Sequence, residues 1–126
     1  MSVDRRKVVV GAAALAAAPS LARSGESSMY GLIGKMSAHP GKRDELLGYL
    51  LEGTGGMPGC LSYVIAKDPS DADALWITEV WTDPGAHQAS LSLPSVQEAI
   101  RKARPLIAGF SDRHETEPVG GVGLPA

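Results

Sequence analysis

Asp73-Ala-Leu-Trp-Ile-Thr-Glu-Val-Trp-Thr-Asp-Pro84 reads as a Trp-rich strand that stops at a helix start, with His87 just beyond it. Side chains alternate along a strand, so Leu75, Ile77, Glu79 and Trp81 share one face and Trp76, Thr78 and Val80 the other. Asp83 can cap the following helix, and Pro84 can take its first position, where a missing N–H costs nothing. A carboxylate and an indole thus share a strand face, with an imidazole in the first turns of the next helix.

Upstream, Cys60-Leu-Ser-Tyr-Val-Ile-Ala66 reads as a strand joined to the Trp-rich one through Asp68-Pro-Ser-Asp-Ala-Asp73, a connection of turn-forming residues. Earlier still, Tyr30 to Ser37 is a mostly apolar strand ending at Ala38-His39-Pro40-Gly41. Leu46, Leu47, Leu50 and Leu51 recur at helical spacing and predict a helix over Lys42 to Glu52, stopped by Gly53. Downstream, Leu93-Pro94-Ser95 breaks the helix that holds His87. Ser95-Val-Gln-Glu98 has capping-box spacing for another helix, which Pro105 ends. Ile107 to Pro118 is the last candidate strand, more polar than the others and suited to a solvated or interface-facing edge. The order βαββαβ, with the second helix split, predicts an α+β fold of ferredoxin-like type: an antiparallel sheet with helices on one face.

The chain has 126 residues, 44% of them hydrophobic and 21% charged, enough for one core and not two. A net charge of -2 and a pI near 5.9 leave no basic footprint for nucleic acid. Asp4-Arg5-Arg6-Lys7, the Ala-rich run Val8 to Ala18 and the small-residue pattern Ser20-Leu-Ala22 resemble a twin-arginine export signal, and the apolar run is short for a membrane span. Residues 1-22 are therefore expected to be a signal peptide cleaved after Ala22, with a periplasmic or extracellular destination. Residues 23-28 form a linker, 29-119 the domain and 120-126 a flexible tail. Cleavage removes Asp4 and three basic residues from the 14 Asp+Glu and 12 Lys+Arg, leaving 13 against 9 and a net charge of -4. Cys60 is the one cysteine, so no intramolecular disulfide can form. Both faces of the Trp-rich strand carry large apolar groups, which predicts that the face away from the helices is covered by a second copy in a sheet-to-sheet homodimer.

Met57-Pro-Gly-Cys-Leu-Ser-Tyr63, Glu79-Val-Trp81 and Ala89-Ser-Leu-Ser-Leu-Pro94 resemble the corresponding pieces of the antibiotic biosynthesis monooxygenase family, over Tyr30 to about Val119. The resemblance implies a dimeric α/β barrel and a monooxygenase that uses no cofactor and oxidises a small aromatic quinol or phenol with molecular oxygen. Such chemistry needs a base, a dry pocket and hydrogen bonds to the developing anion. Glu79 or His87 would take the proton, Trp81 would wall the pocket and Tyr63 would bind a substrate oxygen. Two departures stand out. Haem-degrading relatives use an Asn in the first strand, whereas Gly34 holds that position here and the chain contains no asparagine. The pattern Ala-His-Leu-x-Ser-Pro is replaced by Ala89-Ser90-Leu91-Ser92-Leu93-Pro94, leaving His87 about one turn earlier.

The candidate catalytic residues are thus His87, Glu79 and Trp81, and the candidate substrate-binding residues Tyr63 and Trp76. Each has an alternative reading: an ion pair of Glu79 with Lys35, Arg104 or Arg113, core packing for Trp81 and Tyr63, a dimer contact for Trp76 and a solvated ring for His87. The three histidines lack the short spacing of a zinc site, so no metal is expected. The rival function is a non-catalytic dimeric protein that binds a hydrophobic small molecule in the same cavity.

Overall fold

The computed structural model describes residues 28–125, in the order β1 (Tyr30–Ala38), α1 (Arg43–Gly53), β2 (Cys60–Lys67), β3 (Ala74–Trp81), α2 (Pro84–Ser90), α3 (Pro94–Ala103), a 3-10 turn (Arg104–Leu106) and β4 (Ile107–Thr116). The expected signal peptide, most of the linker and Ala126 lie outside the described residues. The four strands form one antiparallel sheet in the order β2-β3-β1-β4, the ferredoxin-like arrangement that βαββαβ predicts. No helix among the described residues is long and apolar enough to cross a membrane.

Register decides which side chains meet the helices. Leu32 pairs with Glu79, Gly34 with Ile77 and Met36 with Leu75, while Tyr63 on β2 lies opposite Glu79 and Ile65 opposite Ile77. The helix side therefore collects Leu75 and Ile77, which pack with Ala38, Leu46, Leu50 and Ala103 into one buried cluster. Trp81 packs with Met57 and Val96 into a second. The other side of the sheet carries Ile33, Trp76, Thr78, Val80 and Val64, the last 53% exposed.

Local chemistry sets the ends of these elements. The guanidinium of Arg43, at the start of α1, donates to the carbonyls of Asp68, Asp71 and Ala74 and so ties that helix to the β2–β3 turn. α3 begins differently from the capping-box expectation. Leu93 is the cap residue, Pro94 opens the helix and no side chain caps it, while Glu98 is paired instead with Arg101. Proline preset at the first position removes one orphan N–H without a capping hydroxyl. α1 and α3 approach closely at Gly53, where a Cβ would collide with the Ala99 methyl and stand 3.0 Å from the Ser95 carbonyl.

Gly53→Ala is accordingly expected to cost about 1–3 kcal/mol through overpacking at that crossing. Gly48→Ala, also on α1 but with open space around its would-be Cβ, is expected to gain about 0.5–1 kcal/mol. Urea unfolding midpoints of the two variants check the contrast; equal shifts would show that the helix crossing does not depend on the glycine.

Candidate active site

β3 brings Glu79 and Trp81 to the helix side of the sheet, and α2 brings His87 over them. At seven residues α2 is too short to be stable alone. The Asp83 carboxylate caps it by accepting from the Ala86 N–H at 2.8 Å, with Pro84 in the first turn as expected. Its other support is Gly59, at φ +80°, where a Cβ would stand only 2.6 Å from the Ala86 methyl. Only a glycine lets the helix rest this closely on the chain entering β2. At the far end, the Ser90 hydroxyl donates to the His87 carbonyl at 2.6 Å.

The indole N–H of Trp81 donates to Glu79 Oε1 at 2.8 Å, and the same oxygen lies 3.9 Å from His87 Nε2. The imidazole stands edge-on to the Trp81 ring and tilted against Tyr30, both with centroids 5.5 Å away. Glu79 and His87 are mostly withdrawn from solvent, their side chains 15% and 18% exposed. A carboxylate placed there needs partners, and it finds them in Trp81 and His87, not in the lysine or arginines considered from the sequence. Lys35 points to the opposite side of the sheet and pairs with Asp68.

Tyr63 completes the group. Burial first, then the negative charge of Glu79, pushes its phenol well above the ordinary range, so it remains a hydrogen-bond donor. It makes no hydrogen bond to protein among the described residues, which leaves the O–H free for a ligand. Burial likewise pushes the Cys60 thiol up, and its S–H donates to the Ser62 carbonyl, as befits a packed thiol and not a nucleophile.

These residues border a cavity of about 610 Å³, walled by apolar side chains that include Met36, Leu50, Met57, Ile77, Val96 and Phe110. Tyr63, Glu79, Trp81 and His87 all reach it. Trp81 is only 1% exposed and acts on the site through Glu79. Trp76, expected as a substrate-binding residue, lies elsewhere: strand alternation turns it to the other side of the sheet, where its N–H donates to Asp68 and the Lys35 ammonium covers its ring. Three participants were missed in the sequence. Ser90 had a signal in its place one turn after His87. Tyr30 and Phe110 had none, since their strands touch the site only through sheet pairing. The Tyr30 hydroxyl donates to Glu115 at 2.6 Å, a bond that raises its phenol pKa while the nearby Arg113 opposes the rise. No three His, Cys, Asp or Glu side chains among the described residues gather as a metal-holding group.

The sequence profile of the Antibiotic biosynthesis monooxygenase family matches residues 29–102. No curated protein matches the chain significantly. Among solved structures, a candidate antibiotic biosynthesis monooxygenase from Chloroflexus aurantiacus is 65% identical, with a TM-score of 0.76 over 78% of this chain and 100% of its own. A second candidate of that description, from Caulobacter crescentus, is 18% identical, with a TM-score of 0.67 over 75% of this chain and 93% of its own. A variant of SnoaB, a cofactor-independent oxygenase from Streptomyces nogalater, is 14% identical, with a TM-score of 0.62 over 75% and 96% of the two chains. The last two likenesses show the fold alone.

The raised Tyr63 phenol makes a prediction about alkaline stability. The folded state holds this proton more tightly than the unfolded chain, whose phenol titrates near 10.0. Stability is therefore unaffected below that value and falls as pH rises above it. Tyr63→Phe is expected to flatten this fall in urea midpoints measured between roughly pH 9 and 11, with the smaller contributions of Tyr30 and Cys60 remaining.

Proposed function

Since the chain belongs to the antibiotic biosynthesis monooxygenase family, we propose that it is a cofactor-independent monooxygenase that oxidises a small aromatic quinol or phenol with molecular oxygen. The observation that carries the reading is a His87–Glu79–Trp81 array at the wall of an apolar cavity, facing a free Tyr63 hydroxyl. Imidazole is the commonest general base among side chains, and a carboxylate behind it stabilises the cation it becomes. His87 removes the phenolic proton, Glu79 stabilises the resulting imidazolium and Trp81 holds Glu79 in place. Tyr63 donates to the anionic substrate oxygen, and the apolar walls keep water from the reacting ring.

The phenolate then passes one electron to oxygen, and the phenoxyl radical and superoxide combine at a ring carbon bearing hydrogen. Loss of water from the hydroperoxide leaves a carbonyl, so one oxygen atom enters the product and the other departs as water. The ring supplies the electrons, and the balance requires no further reductant.

We also propose that the chain works as a homodimer through the apolar side of the sheet, around Ile33, Val64, Trp76 and Val80, and that it is exported with residues 1-22 removed. The apolar character of that sheet side supports the first part and the paired arginines of the N-terminal segment the second. Protein recovered from the exported fraction is expected to begin at Arg23 and to show twice the chain mass by light scattering. A monomer would remove the dimer, and an intact N-terminus would remove the signal.

With a panel of quinols, the protein is expected to consume oxygen above the rate of autoxidation, and His87→Ala to reduce the turnover number about 10²–10⁴-fold. An oxygen electrode and product analysis provide the measurement. Binding of the same quinols with no oxygen uptake above background would replace the enzyme with a small-molecule binding protein.

A further inference from the structure

β4 breaks its regular pairing beside the cavity. Ser111 lies opposite Lys35 and His114 opposite Ile33, so Asp112 and Arg113 together face the single residue Gly34. Asp112 absorbs the extra residue at φ 51°, a left-handed conformation that residues with a Cβ rarely adopt. The bulge resets the alternation of the strand. Without it Arg113 would share the outer side of the sheet with Ser111; with it Arg113 turns to the helix side, close enough to Tyr30 to act on its hydroxyl. Bulges beside functional sites commonly re-aim a side chain in this way.

The residue opposite the bulge adds a second observation. Nothing stands within 4 Å of the place where a Cβ of Gly34 would be. The missing side chain leaves a hollow of about 480 Å³ over β1, with Arg113 and the 71%-exposed ring of Phe110 at its border. This hollow and the main cavity share Met36, Tyr63, Ile77, Glu79 and Phe110, and so form one cleft. Arg113 makes no ion pair among the described residues. Of the neighbouring carboxylates, Glu115 is engaged by the Tyr30 hydroxyl and Glu79 by Trp81.

We infer that Arg113 forms an anion subsite at the far end of the cleft, so that the ligand is a phenol or quinol carrying a carboxylate away from its reacting hydroxyl. Glu79 and Arg113 sit on β3 and β4 with β1 between them, a backbone span on the order of 10 Å. A two-ring aromatic acid bridges this span once both side chains lean inward. The guanidinium takes the carboxylate through two parallel N–H donors, which a single hydroxyl cannot satisfy. The inference rests on the proposed function for the phenol end, where the hydroxyl meets His87 and Tyr63.

Calorimetric titration of the protein with 6-hydroxy-2-naphthoate and with 2-naphthol tests it without turnover. The naphthoate is expected to bind about tenfold more tightly than the naphthol. Arg113→Gln is expected to erase that preference and leave 2-naphthol affinity unchanged, with Arg113→Lys retaining part of it. Gly34→Leu, which fills the hollow, is expected to weaken the naphthoate selectively. Equal binding of the two probes by the unsubstituted protein, or a preference that survives in Arg113→Gln, overturns the anion subsite and leaves the aromatic site standing. Binding of neither probe overturns both.

Discussion

The hydrogen bond from the Trp81 indole to Glu79 is the interaction on which the rest of the site depends. A carboxylate on the inner side of a sheet is costly unless its oxygens are engaged, and the indole engages one at 2.8 Å from two residues along the same strand. That bond fixes which way the carboxylate leans, and the lean presents the same oxygen to His87. The charge held there also helps to keep the Tyr63 phenol protonated. One bond between near neighbours thus links three groups: an imidazole, a carboxylate and a protonated phenol.

The imidazole itself is held by contacts that are not chemical in purpose. α2 has too few residues to persist alone, and its place is set by the Asp83 cap below and the close approach of Gly59 beneath Ala86. The link between His87 and the sheet is therefore mechanical, transmitted through the backbone at the start of β2. The opposite side of the sheet is organised differently. There Trp76, Lys35 and Asp68 satisfy one another, while Ile33, Val64 and Val80 carry no chemistry and supply apolar area. Strand alternation keeps these two sides separate, so the polar groups at the cavity and the apolar area on the opposite side occupy the same strands without interfering.

Much of this was legible in the chain because it is local. Alternation in β3, the leucine spacing of α1 and the Asp83-Pro84 helix start each involve residues a few positions apart, and the observed elements follow them to within a residue or two. The grouping of Glu79, Trp81 and His87 was legible for the same reason, since all three lie within nine consecutive positions. The capping-box expectation at Ser95 shows where local reading misleads. Two devices could start that helix, and proline one residue earlier prevailed because it needs no hydrogen bond to form.

Tyr30, Phe110 and Arg113 show what local reading cannot supply. Phe110 and Arg113 reach the cleft because β4 pairs with β1, a contact between residues some eighty positions apart, and Tyr30 meets His87 because β1 pairs with β3, which sets Tyr30 opposite Trp81. The bulge at Asp112 changes which side of the sheet Arg113 faces, and alternation counted along the polar last strand would place it wrongly. By itself the sequence determined the elements, their order and the placement of Glu79 and Trp81 on one strand face, because periodicity and capping are written in neighbouring residues. Tertiary structure alone decided the depth of the cleft and the direction of Arg113, because register across strands depends on distant pairings that no stretch of the chain contains.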